Sequence, residues 1–133
     1  SEVLKRMEKK ILVIEDDRDI ADLVKLVLET TSDFTVETVL DPEAAYSTAK
    51  DFRPDAILLD LSMPKMDGWT VFKLIRKDSS FKQIPIAILT AKSQQLDEMV
   101  GLHIMNADAY ITKPFGKQEL IDKTYELCNK GKK

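Results

Sequence analysis

The stretch AILLDLSMPKMDGW, residues 56–69, decides the fold. Ala56 to Leu59 are apolar without interruption, the pattern of a strand buried on both faces. Asp60 follows at once, and then a loop carrying Pro64 and Gly68. An aspartate after a strand most often forms a turn or caps a helix. A carboxylate at the end of a buried strand can also serve chemistry, if a cation faces it. The rest of the chain decides between these readings.

Outward from that stretch, short apolar runs alternate with amphipathic ones. ILVI (Ile11 to Ile14) and PIAILT (Pro85 to Thr90) read as further buried strands. FTVETVL (Phe34 to Leu40) alternates apolar and polar residues and reads as an edge strand, and AYIT (Ala109 to Thr112) as a fifth strand. Between them, Asp19 to Thr30 places Ile20, Leu23, Val24, Val27 and Leu28 at helical spacing. Pro42 to Phe52 begins with Asp41 as an N-cap and proline at the first helical position. Trp69 to Lys77, Leu96 to Met105 and Lys117 to Asn129 bring the helices to five. Strands alternating with helices imply an α/β fold, a doubly wound parallel sheet covered on both faces. In such sheets function sits beyond the carboxyl ends of the strands.

The strand ends share a chemistry. The first strand runs into Glu15, Asp16 and Asp17, the third ends at Asp60, the fourth at Thr90, and the fifth runs into Lys113-Pro114. Asp17 or Asp19 is free to cap the first helix. Clustered carboxylates at ~4 Å repel by ~4 kcal/mol per pair near a protein surface, so they call for a cation. Hard oxygen ligands suit Mg²⁺, which keeps several waters and accepts phosphate oxygens. A divalent ion, a lysine and a hydroxyl around one carboxylate are the parts of phosphoryl transfer to that carboxylate.

KILVIEDD, DAILLDLSMPKMDGW, PIAILTAK and ADAYITKPF stand in an order and at separations that resemble the receiver domain of bacterial two-component response regulators. The resemblance spans about Lys10 to Asn129. It implies a flavodoxin-like sheet of order 2-1-3-4-5 with two helices on one face and three on the other. It implies that Asp60 accepts a phosphoryl group from a phosphohistidine, with Thr90 bonded to that group and Lys113 paired with it. It implies Mg²⁺ held by Asp16 and Asp60, by Glu15 through water and by the Ser62 carbonyl. A cis peptide before Pro114, Tyr110 as a switch aromatic with Thr90, and Ser62 and Lys92 as tuners of phosphate lifetime complete the set. The implied partners are a sensor histidine kinase or histidine phosphotransfer protein and a downstream protein target or output domain. The implied function is a phosphorelay switch acting through the face made by residues 96–105, the fifth strand and the last helix, rather than a turnover enzyme. The chain departs from the family in one place. Thr90 to Lys113 is one residue longer than usual, the extra residue falling in HIMN (His103 to Asn106), and Asn106 stands where relatives carry glycine.

Composition narrows the classes further. The chain has 133 residues and a formal charge of −3, with no basic footprint, so no direct nucleic-acid contact is expected. No apolar run approaches the ~20 residues that cross a bilayer, so no membrane partner and a cytoplasmic location are expected. The lone Cys128 excludes an internal disulfide framework. His103 is the single histidine, which excludes a histidine cluster. A flexible leader at 1–9, one domain at 10–129 and a polar tail at 130–133 are expected. A flavodoxin would need a phosphate loop where the acidic EDDRD stands. A dehalogenase-type phosphatase would need an acid at Ser62 and its nucleophile on the first strand. A receiver-like binding module without phosphorylation is the remaining alternative.

Overall fold

Alternation of side chains across each strand sorts the apolar residues to two sides of one sheet. A computed structural model describes residues 8–91 and 107–130. Its strands are β1 (Lys9–Ile14), β2 (Phe34–Val39), β3 (Ala56–Asp60), β4 (Ile86–Ala91) and β5 (Ala109–Lys113). All pairings are parallel, in the order β2-β1-β3-β4-β5. The described helices are α1 (Arg18–Leu28), α2 (Ala45–Phe52), α3 (Gly68–Lys77) and α4 (Lys117–Lys130). The expected helix at 96–105 lies outside the described residues, as do Lys92, His103 and Asn106.

Leu12, Ile14, Ile57, Leu59, Ile86 and Ile88 face one side, where α2 adds Ala45 and Ala49 and α3 adds Val71, Phe72 and Ile75. Ile11, Val13, Leu58, Ala87, Leu89 and Ile111 face the other, beneath α1 and α4. The described helices therefore cover the sheet two to a face. Burying each such large side chain contributes roughly 1.5–3 kcal/mol, so the central strands fix the register of the whole sheet. β2 is an edge strand with alternating burial, as its sequence pattern predicts.

Local signals set the element ends. Asp17 accepts from the Asp19 and Ile20 amides and is the N-cap of α1, which settles the choice between Asp17 and Asp19. Asp41 caps at the expected position, but the single helix expected from Pro42 divides: a 3₁₀ turn at Pro42–Ala44 precedes α2. α2 ends on Arg53 in the left-handed region at φ 55°. Asp67 caps α3 by accepting from the Trp69 amide.

At the opposite, amino end of β4 and β5 lies a polar knot. The Arg76 guanidinium donates to the Phe81 and Ile84 carbonyls and to Asp108 Oδ2 at 3.0 Å. The same carboxylate oxygen accepts the Ile86 amide at 2.9 Å. This knot ties α3 to the start of β5 and leaves the carboxyl rim to the candidate site.

Candidate functional site

Strand register brings the polar strand ends to one rim. Asp60 stands opposite Leu89 on β4, Thr90 opposite Thr112 on β5, and Lys113 opposite Ala91. Glu15 continues β1 by donating its amide to the Val39 carbonyl at 3.2 Å. Asp16 follows, and Asp17 turns away to cap α1.

The carboxylates of Glu15, Asp16 and Asp60 each place an oxygen within 4.8 Å of the other two. Glu15 and Asp60 are buried, and Asp16 is half-buried. Lys113 Nζ donates to Glu15 Oε1 at 2.6 Å and to Asp60 Oδ1 at 3.2 Å. One lysine against three carboxylates leaves a surplus of negative charge, so this donor set fits a divalent cation with hard oxygen ligands.

The electrostatics agree with that geometry. Burial pushes the Glu15 carboxyl up to about 7, although the Lys113 hydrogen bond pulls it down; the nearby Asp60 charge adds to the rise. Burial works against the Lys113 charge, but the Glu15 hydrogen bond and the two carboxylates outweigh it and raise its pKa.

The remaining expected residues fall around this cluster. Thr90 is fully buried at the end of β4. The Ser62 amide donates to Asp60 Oδ1 at 3.2 Å, and its side chain is exposed. Tyr110 is half-buried and packs on the α2–α3 side of the sheet. The Lys113–Pro114 peptide is cis, as the resemblance implies. Met63, in the β3–α3 loop, is buried in the core on the α2–α3 side, and Met66 is half-buried against it. The sequence places Gly68 in the loop after β3; in the structure it opens α3, where an added Cβ would lie 2.3 Å from the Asp60 carbonyl oxygen. A glycine opening a helix, a poor helix former directly after its Asp67 cap, was the available signal.

Comparison with known proteins agrees with this fold. The family described as "Response regulator receiver domain" matches residues 11–125. The chain is 37% identical over 121 residues to the DNA-binding dual master transcriptional regulator RpaA of Synechocystis, covering 91% of this chain and 49% of that protein. It is 41% identical over 114 residues to the alkaline phosphatase synthesis transcriptional regulatory protein PhoP of Bacillus subtilis, covering 86% of this chain and 46% of the relative. The crystal structure of the chemotaxis protein CheY4 of Vibrio cholerae superposes with a TM-score of 0.82 at 28% identity, covering 90% of this chain and 98% of that one. The chain belongs to the receiver domain family of two-component response regulators, the signalling switches of such systems.

The chain spans about half the length of the curated relatives it matches. The expectation of no direct nucleic-acid contact is overturned by them: RpaA is named DNA-binding and PhoP a transcriptional regulatory protein. The formal charge of −3 belongs to these 133 residues and does not bear on a longer protein that carries such a domain. No helix among the described residues is long and apolar enough to cross a membrane.

Proposed function

We propose that Asp60 is the phosphoacceptor of this receiver, taking a phosphoryl group from a phosphohistidine on a sensor histidine kinase or phosphotransfer protein. The observation that carries this reading is Lys113 Nζ held between buried Glu15 and Asp60, with Asp16 completing the acidic cluster. An Asp60 oxygen attacks phosphorus; the O–P bond forms as the P–N bond to the donor imidazole breaks. The imidazole leaves with the bonding electron pair and takes a proton. Lys113 pairs with the transferred group, and the Thr90 hydroxyl bonds to it. Asp16, Asp60, Glu15 through water and the Ser62 carbonyl would hold Mg²⁺. When bound, that ion supplies charge neutralisation to the transferring oxygens.

Water later attacks the phosphorus, the P–O bond to Asp60 breaks and inorganic phosphate leaves, so the chain catalyses its own loading and unloading without turnover of a substrate. Ser62 and Lys92 tune that lifetime. Thr90 and Tyr110 pass the change toward β5 and α4, where a downstream target or output domain binds. Such a switch works in the cytoplasm, and its unit is the domain at 10–129. Incubation with Mg²⁺ and acetyl phosphate, followed by intact-mass measurement, tests the reading. Wild type gains one phosphoryl group and Asp60→Asn gains none. A full gain in Asp60→Asn overturns the assignment.

A further inference from the structure

We propose that Gly68 is a positioning residue for Asp60, its missing side chain setting where the carboxylate sits against Lys113. This role presupposes Asp60 as the phosphoacceptor. A Cβ built on Gly68 would lie 2.3 Å from the Asp60 carbonyl oxygen, 2.7 Å from Leu61 Cα and 3.1 Å from the Asp60 carbonyl carbon. Non-bonded carbon atoms rest at about 3.5–4.0 Å, so roughly an ångström of movement is needed. All three atoms are backbone, and no side-chain rotation relieves the overlap.

Two bodies meet at this contact. On one side, α3 is anchored by buried Val71, Phe72 and Ile75. On the other, the Asp60–Leu61 peptide lies at the end of β3, where the Leu61 amide donates to the Leu89 carbonyl at 3.2 Å. The Gly68 amide donates to the Leu61 carbonyl at 3.1 Å, closing the loop 61–67 into a ring. That loop carries Ser62, whose amide holds Asp60 Oδ1 at 3.2 Å. An interior anchored by three buried side chains is stiff. The Asp60–Leu61 peptide is held by two hydrogen bonds, its Leu61 amide to the Leu89 carbonyl and the Gly68 amide to its Leu61 carbonyl, and the second moves with the clash, so this peptide is the part that yields. Its displacement carries the carboxylate out of the 3.2 Å contact with Lys113 Nζ. Misplacement of a reacting group by an ångström costs up to about a hundred-fold in rate.

Gly68→Ala tests the proposal, with Gly116→Ala as the control, since a Cβ at Gly116 meets nothing within 4 Å. Both proteins are compared with wild type at a temperature where their far-ultraviolet circular dichroism coincides. The probe is acetyl phosphate with saturating Mg²⁺, and the readout is the rate of phosphoryl gain. Gly68→Ala loses at least about ten-fold and Gly116→Ala stays within two-fold. A crystal structure of Gly68→Ala shows the Asp60–Lys113 contact lengthened beyond hydrogen-bonding range, with α3 in place. A folded Gly68→Ala chain labelled at the wild-type rate, or one with that contact intact, overturns the proposal. If wild type itself takes no label, the phosphoacceptor reading falls, and the crystal structure alone judges the positioning. If Gly68→Ala does not fold, wild-type amide exchange decides. The Gly68 amide then exchanges slowly and shifts when beryllofluoride with Mg²⁺ is added. Exchange at the solvent rate, or no shift, overturns the role.

Discussion

Glu15 carries a pH dependence whose sign follows from its environment. Its carboxyl is raised from 4.5 to about 7 in the fold, chiefly by burial. Between those values the folded state binds the proton and the unfolded chain does not. Stability of the metal-free protein therefore falls as pH rises from about 4.5 to about 7, by at most ~1.4 kcal/mol per pH unit, and levels off above. Lys113, with a raised pKa, contributes stability that is lost only above the ordinary lysine range, outside this window. Urea denaturation across pH 4.5–7.5 measures the slope, and Glu15→Gln flattens it; an unchanged slope in that variant contradicts the account. A second residue-scale test lies at Arg53, which closes α2 at φ 55°. Arg53→Gly keeps that conformation at lower steric cost and gains up to about 1 kcal/mol, whereas Arg53→Val loses about 1 kcal/mol or more. Thermal melts of the two variants should move in opposite directions.

At the scale of elements, α3 shows how burial rather than composition sets energetic weight. Phe72 is 2% exposed, lies 5.5 Å edge-on from Trp69 and carries the Arg76 guanidinium at 5.2 Å over its ring. Phe72→Ala should cost about 3–5 kcal/mol. Leu74, two residues on and 45% exposed, should cost within about 0.5 kcal/mol as alanine. Equal losses in chemical denaturation would contradict this division. The strands were legible because uninterrupted apolar runs have few other uses, and AILLD coincides with β3 residue for residue. Caps were legible where an aspartate precedes an apolar period, as at Asp41. The 3₁₀ turn before α2 was not, since an N-terminal proline suits both helix types. Contacts made at long range were hidden for a plainer reason: neither Arg76 nor Asp108 carries a local signal for the other, 32 residues away. The contact of Gly68 with the Asp60 carbonyl was hidden in the same way, because spacing along a chain does not report the approach of two backbones.

Across the whole molecule, the parallel sheet accounts for both the core and the rim. Five strands running one way deliver their final residues to one edge, so Glu15, Asp60, Thr90 and Lys113 converge without any local motif joining them. That convergence was legible from the order of strand ends, while the distances that bind Lys113 to Glu15 first and Asp60 second required the fold. A ligand that binds only the folded state stabilises it by mass action, about 2.7 kcal/mol at a hundred times its dissociation constant. Mg²⁺ should therefore raise the melting temperature of wild type at pH 8 and leave Asp16→Asn unmoved; an equal rise in both would remove Asp16 from the site.

The central claim is that the Asp60 carboxylate itself becomes an acyl phosphate, and trapping that bond tests it most directly. After reaction with Mg²⁺ and acetyl phosphate, borohydride reduces an aspartyl phosphate to homoserine, a change readable by peptide mass spectrometry. The account predicts homoserine at position 60 in wild type, dependent on both Mg²⁺ and acetyl phosphate. Homoserine at Asp16 or another aspartate with position 60 unchanged, or none anywhere while phosphate is still incorporated, would contradict it.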